Sequence, residues 1–103
     1  MARPQFIYFI QPVRPDMPDG PTQEEAATIG RHFQYLKDAH ANGQLILAGR
    51  TLEPPYVGIA IYEADDQEAA DKFAAADPAI QAGVFELVRV QPYGVALLRT
   101  ESV

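Results

Sequence analysis

The chain has 103 residues, of which 48% are hydrophobic and 21% charged, the balance of a globular domain with a modest core. Eight Lys and Arg against 14 Asp and Glu give a net charge of −6, which argues against a phosphate-backbone partner such as nucleic acid. There is no cysteine, so disulfides, thiolate catalysis, thiolate zinc sites and iron–sulfur clusters are excluded.

The residues predict a single domain over 1–103. Residues 6–10 (Phe-Ile-Tyr-Phe-Ile) combine β-branched and aromatic side chains and predict a first strand. Residues 11–21 hold four of the nine prolines together with Gly20, and predict a loop. Thr22 with Glu25 has capping-box spacing and opens a helix that runs to about Asn42, with Gly43 suited to the left-handed position past its end. At 100° per residue, Ile29, Phe33, Leu36 and His40 fall in one narrow stripe of that helix.

Residues 44–48 predict a second strand, 49–55 a turn and 57–62 a third strand. Asp65, with Glu68 three residues on, is the expected cap of a second helix, whose inner face is Ala69, Ala70, Phe73 and Ala74. Asp77-Pro78 ends it, because a residue before proline avoids the helical region. One further turn over 78–83, a strand over 84–90 and a short edge strand over 95–98 complete the chain. The order β-α-β-β-α-β is the ferredoxin-like α+β arrangement, with one antiparallel sheet and two helices on one face.

Residues 6–10 and 45–48 are apolar at every position, so both faces of these strands call for cover. Two helices cover one face, and a second copy of the chain is the expected cover of the other, giving a homodimer packed sheet to sheet. No run of 18 apolar residues is present, and the N-terminal residues lack an apolar leader. The expected setting is cytoplasmic, with no membrane partner.

The chemical inventory is small. His32 and His40 lie eight apart on one helix, without the spacing of a paired zinc site, so no metal centre is expected. His40 falls inside the apolar stripe near the helix end and reads as a buried or half-buried residue that helps cap the last carbonyls. His32 lies roughly 60° off the stripe, at a shoulder from which a side chain can face a cleft. A shoulder histidine with a carboxylate partner suits general acid/base chemistry. Asp77, in Ala-Asp-Pro, either caps the turn that starts at Pro78 or serves function from a position poorly suited to the dipole of the preceding helix. Asp65, Asp66, Glu68 and Asp71 read as solvated charges. Arg50, at the end of the second strand, either binds a substrate carboxylate or is a surface charge.

Taken together in order, Arg31-His32-Phe33-Gln34-Tyr35-Leu36, Gly43-Gln44-Leu45 and Ala48-Gly49 resemble the YciI-related (YCII domain) family. So do Ala76-Asp77-Pro78, Ala82-Gly83-Val84-Phe85-Glu86 and Val90-Gln91-Pro92-Tyr93. The resemblance runs from the first strand to about Tyr93. It implies a ferredoxin-like domain that pairs into a dimeric α+β barrel similar in architecture to muconolactone isomerase. It also implies an active site of one histidine and one aspartate, matching His32 and Asp77, and lyase activity in some members, which eliminate chloride from chlorinated muconate-type compounds. The chain departs from the pattern in its long proline-rich loop 11–21 and in Ala48-Gly49-Arg50, where the family commonly has Ala-Gly-Pro.

Three functional readings follow. The first is a cofactor-free lyase or isomerase acting on a small unsaturated organic acid, with His32 moving the proton, Asp77 orienting the imidazole and Arg50 binding the substrate carboxylate. The second is a non-catalytic dimeric module that binds a small molecule or a protein partner. The third, a haem-dependent or cofactor-free monooxygenase, has no signature in the residues. The first two are separated by whether His32 and Asp77 share a cleft with room for a ligand.

Overall fold

In the computed structural model, which describes residues 3–100, one four-stranded antiparallel sheet has the strand order β2-β3-β1-β4. Met1 and Ala2, part of the N-terminal stretch read as lacking a leader, lie outside the described residues. Strand β1 spans Gln5–Pro12, helix α1 Gln23–Ala41, β2 Leu45–Arg50 and β3 Gly58–Glu63. Helix α2 spans Gln67–Ala75, the single turn α3 Pro78–Gln81 and β4 Phe85–Pro92. A short 3-10 turn, Met17–Asp19, interrupts the proline-rich loop. The α+β ferredoxin-like order is the one the sequence predicts.

Local chemistry sets the element boundaries. The Thr22 hydroxyl accepts from the Glu25 N–H, and the Glu25 carboxylate accepts from the Thr22 N–H, so the capping box is complete. Gly43 ends α1 with φ +86, a conformation that costs glycine little. The cap of α2 is Asp66 rather than the expected Asp65. Asp66 has the extended backbone of an N-cap and accepts from the Ala69 N–H, while Asp65 turns outward to Arg3. The edge strand predicted at 95–98 does not form: residues 93–100 carry no strand, and Leu97 is 95% exposed. Only Tyr93 and Val95 are tied back, by their N–H groups to Gln5.

The core lies between the helices and one sheet face. Phe6, Tyr8 and Ile10 of β1 point inward beside Ala60 and Tyr62 of β3, and meet Leu36, Ala39, Ala70 and Ala74. The Phe73 ring stacks within 4.4 Å of Tyr62 and 5.1 Å of Tyr35. The Tyr35 and Tyr62 hydroxyls donate to carbonyls of α2, fixing that helix to α1 and the sheet. No helix of the described residues is long and apolar enough to cross a membrane.

The face of α1 turned to the core is not the stripe expected from periodicity. Thr28, Leu36 and Ala39 are buried, whereas Phe33 is 60% exposed and His40 is exposed. The buried face is rotated by about 80° from the expected stripe. Small side chains at 28 and 39 let the helix approach the sheet closely, and Ile29, Phe33 and Leu36 become one wall of a cavity. His32 falls within the buried arc, between Ala39 and Leu36.

Candidate active site

A cavity of about 370 Å³ opens between α1, the loop 13–22 and the β2–β3 end of the sheet. Its walls are largely apolar: Ile29, Phe33 and Leu36 from α1, Met17 and Pro18 from the loop, and Ile10 and Ala48 from the sheet. Cavities of this size and lining suit small ligands. The loop is held in place chiefly by Met17, which is 1% exposed, and by an ion pair of 2.6 Å between Arg14 and Glu25. The Tyr56 hydroxyl donates to Asp19, tying the β2–β3 connection to the same loop.

His32 forms part of the cavity wall, and its Nδ1 lies 2.7 and 2.8 Å from the two carboxylate oxygens of Asp77. These residues are 45 apart in sequence and meet because α3 turns back beside α1. Asp77 is completely buried, while 14% of the His32 side chain is exposed. Asp77 caps α3 by accepting from the Ala79 N–H at 2.9 Å, and it also accepts from the Tyr8 hydroxyl at 2.8 Å. One side chain therefore both caps the turn and contacts the histidine. With Tyr8 and Ala79 as donors, the carboxylate is an acceptor, so His32 Nδ1 carries the proton and Nε2 is left as the basic nitrogen. Among the described residues Nε2 has no hydrogen-bond partner. The Phe85 ring, 5.5 Å from the imidazole, packs the other side of the pair.

Burial, reinforced by the negative charge of Asp77, pushes the Tyr8 phenol far above its ordinary range, so it stays a neutral donor. Burial, with a smaller effect of Asp77, raises Tyr35 to about 12. Tyr8 is a member of the site that the sequence did not single out. In the fold it belongs to the inward series with Phe6 and Ile10 and is the member whose polar tip needs a buried partner, but a strand apolar at every position does not show which residues face inward.

Arg50 pairs across the ladder with Gly58, on the same sheet face as the cavity, and lines it. It is exposed, and no carboxylate pairs with it among the described residues. His40, by contrast, has no part in the cavity. No group of three or more His, Cys, Asp or Glu side chains among the described residues is arranged to hold a metal ion.

A ferredoxin-like α+β domain with a buried histidine–carboxylate pair opening on an apolar cavity is the class of protein defined here. The YCII-related domain matches residues 7–93, and the chain belongs to that family. No curated protein matches the sequence. Among solved structures, the chain is similar to 5-chloro-2-hydroxyhydroquinone dehydrochlorinase (TftG) from Burkholderia phenoliruptrix AC1100 in complex with 2,5-dihydroxybenzoquinone. The TM-score is 0.69 at 19% identity, over 89% of this chain and 95% of that chain, and the likeness is one of fold. It is also similar to SnoaB, a cofactor-independent oxygenase from Streptomyces nogalater, with TM-score 0.47 and 12% identity over 98% and 100% of the two chains.

Proposed function

We propose that this protein is a small-molecule enzyme that needs no cofactor, a lyase or isomerase acting on a small unsaturated organic acid. The observation that carries this reading is the contact of 2.7 Å between His32 and Asp77 on the wall of a ligand-sized cavity. Nε2 of His32 takes a proton from a substrate carbon, and the electron pair of the broken C–H bond becomes a double bond. In an elimination the leaving group departs with its own bonding pair. In an isomerisation the imidazolium returns the proton to another carbon. Asp77 holds the ring and stabilises its charged form, a role carboxylates play for histidine bases elsewhere. Arg50 binds the carboxylate of the substrate, the local cation that a chain of charge −6 needs to receive an anion.

The similar dehydrochlorinase acts, by its name, on a chlorinated hydroxyhydroquinone, and its structure holds 2,5-dihydroxybenzoquinone. Hydroxylated quinones therefore belong beside unsaturated carboxylic acids in a binding screen of wild type and His32→Ala. A compound bound by wild type and lost in the variant supports the reading; equal binding by both moves the site elsewhere. We further propose that the working unit is a homodimer. On the sheet face away from the helices, Leu47 is exposed and Phe9 and Ile59 are half-buried around the buried Ile7 and Ile61, an apolar surface suited to the same face of a second copy. A light-scattering mass of one chain at micromolar concentration would overturn this.

A further inference from the structure

Asp77 has two oxygens and three donors directed at them. His32 Nδ1 reaches both oxygens, the Ala79 N–H reaches Oδ1, and the Tyr8 hydroxyl reaches Oδ2 at 2.8 Å. Ala79 is a backbone donor placed by the start of α3, and any residue at 79 other than proline supplies it. Tyr8 is a side-chain donor from the middle of β1, 69 residues away, and it is only 1% exposed. Its ring is clamped by Tyr62 at 5.7 Å and Phe73 at 6.3 Å, so the hydroxyl cannot swing away from the carboxylate. A phenylalanine would fill the same space in the aromatic cluster without adding a buried polar group. The hydroxyl is thus not required by packing, and its one described hydrogen bond goes to the carboxylate that holds His32.

From this geometry we propose that Tyr8 is a positioning residue, whose hydroxyl fixes the carboxylate plane of Asp77 and moderates how strongly that carboxylate holds the proton of His32. The proposal deepens the His32–Asp77 reading and rests on it for its catalytic meaning. The physical effect follows from sharing of charge. A donor on Oδ2 draws negative charge away from the imidazole, so Asp77 stabilises the imidazolium less than an undonated carboxylate would. Removing the donor strengthens the hold on the proton and makes Nε2 slower to release it. The groups facing the imidazole are few. Tyr8 comes from β1, Asp77 from the α3 cap, and Phe85, without charge, from β4. Tyr35 lies on α1 itself, its phenol raised by burial and, to a smaller extent, by the charge of Asp77, and Arg50 lines the cavity.

The test uses nitrogen NMR of the imidazole in the full-length protein, for wild type, Tyr8→Phe and Tyr62→Phe. Tyr62→Phe is the matched control, since it also deletes a buried hydroxyl but one that donates to the Ala70 carbonyl. The expected result is that Tyr8→Phe moves the titration midpoint of the His32 ring upward by roughly half a pH unit or more, while Tyr62→Phe leaves it in place. Thermal melts of both variants establish that they fold. Superimposable titrations of wild type and Tyr8→Phe would overturn the proposal, as would an equal shift in Tyr62→Phe. The readout needs no substrate, so a positive shift in a protein inactive toward every acid and quinone tested would sustain the role of Tyr8 while removing the catalytic reading. Where activity is found, Tyr8→Phe should lower kcat with KM little changed and move the pH profile in the same direction as the NMR midpoint.

Discussion

The two ends of the cavity are built differently. At the inner end, His32, Asp77 and Tyr8 come from α1, the α3 cap and β1; Asp77 has no exposed surface, and Tyr8 has almost none. At the mouth, Arg50 is exposed, Tyr56 meets Asp19 at the surface, and Arg14 of the Arg14–Glu25 pair keeps 42% of its side-chain exposure. A buried network in which every donor has an acceptor is stiff and costly to disturb. Exposed pairs in solvent contribute little and are screened by salt. On the function proposed above, the chemistry is fixed by the core of the fold, while selection of the ligand rests on a loop and one cation that can change without disturbing it.

The largest way to break this contrast is Asp77→Ala. It removes the acceptor of His32 Nδ1, the Tyr8 hydroxyl and the Ala79 N–H together. The expected loss is about 3 kcal/mol of stability, from an orphaned buried hydroxyl and a lost cap, read from urea midpoints at constant slope. A loss below about 1 kcal/mol would mean that the inner end is no stiffer than the mouth. Next in size is Met17→Ala. Burial to 1% exposure makes Met17 the anchor of the loop, and its truncation should cost about 2 kcal/mol, while Arg14→Ala should cost clearly less. If the arginine variant proves the more damaging, the loop is held by charge rather than by apolar burial.

Much of this organisation was legible in the residues. The capping box at Thr22 and Glu25, the breaks at Gly43 and Pro78, and the β-branched and aromatic strands are local signals, and each fell close to its observed place. The pairing of His32 with Asp77 came from the family resemblance and has the geometry that pairing needs; helical spacing alone set only a shoulder position. The rotation of α1 was hidden because a stripe of Ile29, Phe33 and Leu36 looks the same whether it faces a sheet or a cavity. That ambiguity made His40 read as buried or half-buried when it is exposed. Tyr8 was hidden for a related reason: in a strand apolar at every position, period-two alternation cannot tell inward from outward.

Arg50→Gln separates binding from folding at the mouth. Its stability should stay within about 0.5 kcal/mol of wild type, as for a surface change with no ion pair to lose. Affinity for an acid ligand found in the screen should fall roughly tenfold, about 1.4 kcal/mol, and the wild-type affinity should weaken with added salt more than that of the variant. Retained affinity would leave Arg50 a surface charge.

The smallest expected effect lies in acid. The hydrogen bond from Arg14, followed by that from the Thr22 backbone, lowers the Glu25 carboxyl from 4.5 to about 2. A carboxyl whose value is lower in the folded chain than in the unfolded chain contributes stability that is fully present above about 4.5. That contribution is lost as pH falls toward 2, because protonation there removes both the ion pair and the capping-box acceptor. Amide exchange of residues 13–22 should therefore rise relative to the core strands between these two values in wild type. In Glu25→Gln the same amides should exchange faster at neutral pH and show no such step. Because Glu25 lies at the surface, the step should shrink in high salt, whereas protection of Tyr8 and its neighbours on β1 should not. A step that salt leaves unchanged would place Glu25 with the stiff inner end of the cavity rather than with its mouth.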